Sequence, residues 1–265
     1  MSQMLDAQRS WISPTHWHGA VRVMSTTRFG GVSPAPFDTL NVGMHVGDSA
    51  QAVAQNRQLL RVNLPVEPLW LNQVHGCRVL DADHIELGEH FEADAALTSS
   101  GEVVLAIQTA DCMPVVIHAE GQVLGVAHAG WRGLAQGVLS TLVDAMQHKL
   151  GAHGSRSQWH AWIGPCIGQQ SFQVGDDVRQ VFVEKRPGNS VHFNTDPTAP
   201  HKWLCDLPGL ALSELKILGI EQSQWCGLCT VTDKQARFFS YRRDGHTGRM
   251  ATLAWLNTDS LTDKN

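Results

Sequence analysis

The sequence predicts a single mixed α/β domain built around a buried sheet, and three observations carry that reading. Three apolar, β-branched runs follow one another across short turns that include Glu120-Gly121: VVLAIQTA (103–110), MPVVIHAE (113–120) and QVLGVAHAG (122–130). Behind them, an amphipathic stretch from Leu134 to Lys149 sets Val138, Leu142, Val143 and Met146 at helical spacing. The chain is 265 residues long and 43% hydrophobic. At that length about 70–75% of the unfolded chain's surface can be buried, so one large core is within reach.

The remaining elements follow from punctuation and pattern. Residues 20–27 (AVRVMSTT) read as a strand leading into a Gly/Pro-rich loop, RFGGVSPAPFDTLNVG. Asp48 is placed to cap a helix ending near Arg61, with Val53 and Leu60 turned inward. Strands are expected at Leu69–Val74, 158–163, 237–241 and 249–256, and helices at 175–185 and, after an Asp206 cap, 208–218. The stretch RPGNSVHFNTDPTAPHK (186–202) is linker-like, but regular structure continues on both sides, so it reads as a long surface loop. The expected division is an N-terminal extension (1–19), one catalytic domain (20–256) and a fraying polar tail (257–265). No internal repeat, charge block or low-complexity tract interrupts it.

Charge and hydropathy exclude several functions. With 20 Lys+Arg against 25 Asp+Glu, the net charge of −5 argues against a broad nucleic-acid or anionic-membrane surface. A bound anion would need a local arginine pocket. The longest apolar stretches, Val103–Ile107 and Met113–Ile117, fall far short of the ~20 residues of a membrane span. The start lacks the pattern of an export signal, which makes the cytoplasm the expected location. There, six cysteines read as thiols, ligands or nucleophiles rather than disulfides.

His75 (NQVHG), Cys112 (TADCMP) and His128 (HAGWRG) each sit where a predicted strand stops. Strand ends hold side chains rigidly while the adjoining loops leave room for a ligand. Two imidazoles and a thiolate suit zinc, and three protein ligands leave a fourth position open, as in catalytic sites. The alternative is a buried cysteine acting as a small hydrophobe beside two ordinary loop histidines.

These motifs resemble a known bacterial family. QVHG, TADCMPV, HAGWRG, GPCIG and FFSYRRDGHTGRMA, together with TTRFGGVS and MHVGD, look like the proteins first described as polyphenol-oxidase laccases. They are now described as zinc-dependent purine nucleoside phosphorylases with adenosine deaminase activity; one branch is called the peptidoglycan editing factor. The resemblance, from about residue 20 to 256, implies an α+β fold: a single domain with two packed mixed β-sheets flanked by helices. It implies that His75, Cys112 and His128 are the zinc ligands and that the substrates are small molecules, a nucleoside and phosphate. Where the family often has Tyr-Glu-Val, this chain has Phe172-Gln173-Val174, so no carboxylate role carries over there.

Competing readings have their own signals. The laccase label implies copper, yet the chain has a single His-x-His, His16-Trp17-His18. Met113 would have to serve as an axial ligand from the opposite strand face. The family's fold is similar to that of cytotoxic necrotizing factor toxins, which makes Cys112 a candidate nucleophile with His128 as its base in an amidohydrolase; His75 is then unexplained. Editing of a cell-wall precursor is a further reading. His84-Ile85-Glu86 with Pro165-Cys166 faintly matches the nucleobase-deaminase signature, but Gln169 stands where its second cysteine belongs. Cys226-Gly227-Leu228-Cys229 is a lone C-x-x-C and a weak redox or metal signal.

On the substrate side, Arg28, Arg132, Arg242, Arg243 and Arg249 all flank Gly-rich turns, and a guanidinium fork suits phosphate. Arg28 and Arg243 are the first expectation for phosphate. Trp131 and Phe239 are candidates to stack a purine, against core roles for both. Asp111 is a candidate general acid or partner of a zinc histidine, against a turn-capping role.

Overall fold

The apolar runs form strands buried on both faces, and this explains why they are continuous rather than alternating. In the computed structural model, which describes residues 11–15, 17, 19–85, 91–119, 121–151 and 155–257, they lie in two sheets packed face to face. The five-stranded sheet contains β1 (Val21–Ser25), β2 (Pro68–Asn72), β4 (Phe91–Glu92), β6 (Val104–Thr109) and β14 (Met250–Leu256), in the order β1-β14-β6-β2-β4. The six-stranded sheet contains β3 (Val79–Asp81), β5 (Ala95–Thr98), β7 (Met113–Ala119), β8 (Val123–Ala129), β9 (Trp159–Ile163) and β13 (Gln222–Trp225). Its order is β13-β9-β7-β8-β5-β3. Both sheets are mixed: β2 runs parallel to β4 and β6, β3 to β5, and β9 to β13, while the other pairings are antiparallel. The fold is thus single-domain α+β, as the resemblance implies.

Period-two alternation divides the core into layers. Leu105 and Ile107 of β6 meet Val116, Leu124, Val126 and Trp162 between the sheets. Val104 and Ala106 face the other way, onto Leu60 of α1 (Ala50–Arg61). Val115 and Ile117 face outward from the six-stranded sheet, onto α3 (Val138–Leu150) and α5 (Leu207–Ile217). Gly125 permits a close helix approach, because a Cβ there would stand 2.5 Å from Met146 Sδ.

Several expectations need correction. The helix expected from Leu134 to Lys149 is two helices, α2 (Trp131–Gln136) and α3, broken at Gly137. Gly137 takes φ +96°, caps the end of one helix and starts the next, a conformation that favours glycine. Ser49, not Asp48, caps α1; Asp48 Oδ2 instead accepts bonds from Ser33 and Asn41. Segment 186–202 is more than a loop. It holds a 3₁₀ turn (Pro187–His192) and β11 (Phe193–Thr195), which pairs with β12 (Lys202–Cys205). That pair and β10 (Gln173–Gly175) form a third, three-stranded sheet beside α4 (Asp176–Lys185). Residues 237–241 are not a strand. They have no ladder partner, and Phe238 and Phe239 are buried as irregular chain ahead of α6 (Tyr241–Asp244), which Ser240 caps.

Within the expected extension, Ile12 bridges to Ser25 through both backbone bonds. Residues 1–10, His16 and His18 of the His-x-His, Glu86, Glu120 and the tail from 258 lie outside the described residues. No helix among the described residues is long and apolar enough to cross a membrane.

Candidate metal centre

The two packed sheets end at a common cleft of about 420 Å³. Each sheet delivers part of a group that could hold a metal ion to it. His75 stands in the loop after β2, Cys112 immediately before β7, and His128 in β8 on the same face as Leu124 and Val126. Cys112 Sγ and His75 Nε2 are 3.9 Å apart, and the three ligand atoms all lie within 4.8 Å of one another. Tetrahedral zinc would draw such atoms to separations of about 3.3–3.6 Å, so a small side-chain adjustment completes the site. Backbone strain flanks the triad: His75 has φ +62° and Asp111 φ +94°, unfavourable for non-glycine residues and a recurrent mark of functional sites. Gly130 provides the cradle, because a Cβ there would stand 2.9 Å from Cys112 Sγ.

The residue that organises the centre is Asp94, which the sequence reading missed. Its carboxylate is fully buried and accepts backbone N–H bonds from Val74 (3.1 Å), His75 (2.9 Å) and Gly76 (2.7 Å). It also pairs with His128 Nδ1 at 2.7 Å. One side chain therefore shapes the loop that carries His75 and directs His128 Nε2 into the cleft. A signal was there to read: a single carboxylate inside the otherwise apolar segment Ala93–Leu97.

Electrostatics match the geometry. Burial opposes charge on Cys112, but the His128 and His75 imidazoles outweigh it and hold the thiol at about 6. Burial likewise opposes protonation of His128, yet the Cys112 charge and the bond to Asp94 raise it to about 9. The donor set of two nitrogens, one thiolate and a locked tautomer fits a zinc ion. Met113 packs on the helix-facing side of β7, away from Cys112, as its alternation predicts.

Asp111 lines the cleft but is not the histidine's partner. Its Oδ1 accepts from Thr230 Oγ1 (2.5 Å) and its Oδ2 from the Arg242 backbone N–H (2.7 Å), so it ties two loops to the rim. The five candidate arginines separate. Arg28 is bound to the Asp38 carbonyl and carboxylate and lies against Phe239. Arg243 spends its donors on Asp244 and on the carbonyls of Thr230, Val231 and Phe238. Neither lines the cleft, and Phe239 is fully buried beneath Arg28, in the core role weighed for it. Arg132, Arg242 and Arg249 do line it. Trp131 does as well, with the Arg132 guanidinium 4.5 Å from its ring centroid.

Fold and centre together define a class: α+β proteins with a two-histidine, one-cysteine group that could hold a metal at the ends of two packed sheets. The chain belongs to the family described as multi-copper polyphenol oxidoreductase laccase, whose model matches residues 22–257. It is 42% identical over 251 residues to a Pseudomonas aeruginosa protein named purine nucleoside phosphorylase PA4543, spanning 93% of this chain and 98% of that one. It is 39% identical over 262 residues to purine nucleoside phosphorylase YfiH of Escherichia coli, spanning 97% and 100%. The crystal structure of Neisseria meningitidis protein NMB0706 superposes with a TM-score of 0.85 at 38% identity, covering 94% of this chain and 99% of that one.

Proposed function

We propose that this chain is a cytoplasmic, zinc-dependent purine nucleoside phosphorylase that also deaminates adenosine. The observation that carries the reading is one cleft holding three convergent candidate metal ligands beside a half-buried, half-free guanidinium. Arg249 Nη1 is held by the carbonyls of Thr247 and Gly248, both at 3.0 Å, while its Nε and Nη2 have no partner among the described residues. That pre-aimed fork is the phosphate site in this reading, with Arg242 and Arg132 beside it. Zinc, held by His75, Cys112 and His128, would supply Lewis acidity to the reaction. A phosphate oxygen attacks the ribose C1′, the glycosidic bond breaks, and its electron pair leaves with the purine. Trp131 and Phe172 flank the space for that ring, and Asp111 keeps the Arg242 turn in place.

The test combines metal analysis with two assays on one preparation. Phosphorolysis of inosine should require phosphate, disappear on chelation and return with added zinc. Arg249→Ala should raise the phosphate requirement by about 1.5–3 kcal/mol, the range for a hydrogen bond to a charged group. Metal content should stay normal, and adenosine deamination without phosphate should fall much less. Equal losses in both reactions would put the phosphate elsewhere.

A second reading has one observation in its favour. Asp94, His128 and Cys112 are arranged as a carboxylate, an imidazole and a low-pKa thiol, the parts of a cysteine nucleophile and its base. His75 has no task in that scheme. Amide hydrolysis surviving complete demetallation would select it.

A further inference from the structure

The segment MHVGD (44–48) sends one side chain into the cleft wall, His45, whose ring is exposed there alongside Arg249. Neither of its ring nitrogens has a hydrogen-bond partner among the described residues. The metal centre does not use it, because the ligand group is complete in His75, Cys112 and His128.

The loop that carries His45 is built onto Arg249. Asn41 Oδ1 accepts from the Arg249 N–H at 2.8 Å and from the Gly43 N–H at 2.9 Å, and the Val42 N–H donates to the Arg249 carbonyl at 3.2 Å. A Cβ on Gly43 would stand 2.8 Å from Arg249 Cγ, so this glycine lets the loop lie against the arginine stem. Arg57 Nε and Nη2 donate to the Val42 carbonyl at 3.0 and 2.9 Å, and His246 Nε2 meets the Val46 carbonyl at 2.7 Å. Backbone anchors on both sides of His45 therefore fix it relative to the Arg249 fork and leave its ring free.

Charge indicates what the pair would take. Desolvation, followed by the positive charges of Arg249, Arg57 and His128, holds His45 below the ordinary histidine pKa. A neutral imidazole has one N–H donor and one acceptor nitrogen, whereas a guanidinium has donors only. Hydrogen phosphate presents acceptor oxygens and a hydroxyl, so the fork and the imidazole together satisfy it. The aromatic flank for the base lies elsewhere: Trp131 starts α2 and Phe172 precedes β10, while His45 and Arg249 are mounted together ahead of α1 and β14.

We infer that His45 is a second phosphate ligand of the cleft, paired with Arg249. The assignment rests on the phosphorylase reading and deepens it.

His45 is exposed, so its replacement should leave the fold intact. In zinc-loaded enzyme, His45→Ala should raise the apparent KM for inorganic phosphate about tenfold, as expected for a lost hydrogen bond to an anion. Inosine binding, measured by calorimetry without phosphate, should match the wild type, and so should zinc content. His45→Asn and His45→Gln each keep a donor and an acceptor near one of the ring nitrogens, and one of them should recover most of the loss; His45→Phe should recover none. A wild-type phosphate KM in His45→Ala, or an inosine affinity that falls as far as the phosphate KM rises, overturns the assignment while leaving the phosphorylase reading intact. Loss of zinc from His45→Ala also overturns it, by making His45 a metal ligand. Wild-type enzyme that cleaves inosine without phosphate, or does not cleave it, overturns both.

Discussion

Two histidine pairs stand at opposite ends of the same sheet and behave in opposite ways. At one end, His128 in β8 faces His75, with ring centroids 4.8 Å apart, and contacts the Asp94 carboxylate and the Cys112 thiol. At the other, His118 in β7 stacks on His160 across the β7–β9 pair, with centroids 4.9 Å apart and rings 6° from parallel. Trp17 closes edge-on over that pair, and His118 Nδ1 is buried without a partner among the described residues. Burial and the neighbouring His160 push His118 down to about 4, whereas His128 is raised to about 9. The difference lies in the company, not the burial: a carboxylate and a thiolate make one imidazole a charged or ligating group, and without them the other is a neutral packing element.

The largest expected effect breaks the functional pair directly. Purified protein should hold about one zinc per chain, and Cys112→Ser or His75→Ala should lose most of it. His118→Ala should leave the metal content unchanged. Full retention of metal in both ligand variants would remove the site.

Asp94→Asn comes next, because it leaves His128 and three backbone N–H groups facing an amide instead of a carboxylate. Loss of a buried charged partner costs about 3–5 kcal/mol, measurable by urea unfolding of the metal-free protein. Zinc affinity by chelator competition should fall about 10–100-fold, the usual cost of losing a residue that orients a metal-bound histidine. Wild-type affinity in this variant would mean that the loop and His128 hold their geometry without it.

Thiol chemistry sharpens the contrast. In metal-free protein, alkylation of Cys112 should be half-maximal near pH 6, because its thiolate persists down to that pH. Cys226, pushed up by burial to about 11, should react slowly at neutral pH. Bound zinc should protect Cys112. Peptide mapping after a pH series of alkylations reads both sites at once.

The smallest expected effect belongs to the neutral pair. His118 is harder to protonate folded than unfolded, so between pH 6.5 and about 4 the unfolded chain binds more protons. Stability should therefore fall as the pH drops through that window, by up to about 3 kcal/mol, and level off below it. His118→Phe should remove that slope and eliminate the orphaned Nδ1. An identical acid slope in the variant would assign it to other groups.

What was legible in the sequence was local. Alternation and turn residues located β6, β7 and β8 to within a residue or two, and Val53, Leu60, Val138 and Met146 are buried as their spacing predicts. The ends of β7, β8 and the strand expected at Leu69–Val74, with the family motifs, singled out His75, Cys112 and His128. Gly137 escaped because one left-handed glycine inside a helical pattern looks like a tolerated residue until its φ is seen. The segment 237–241 reads as a strand because buried Phe238 and Phe239 are apolar, and pairing is not encoded in apolarity.

The sequence by itself determined the layers, the ligand types and the acidic, membrane-span-free character of the described chain. The tertiary structure decided which of five similar arginines keep free donors, which carboxylate serves His128, and which polar atoms are left without partners among the described residues. The physical reason is reach. Periodicity and turn chemistry act over a few residues, whereas the carbonyls that occupy Arg243, the N–H groups that converge on Asp94 and the packing that strands Thr109 Oγ1 are assembled by contacts distant in the chain. Until those groups meet, a guanidinium, a carboxylate or a hydroxyl has its full hydrogen-bonding capacity, and only the fold determines how much of it remains for a ligand.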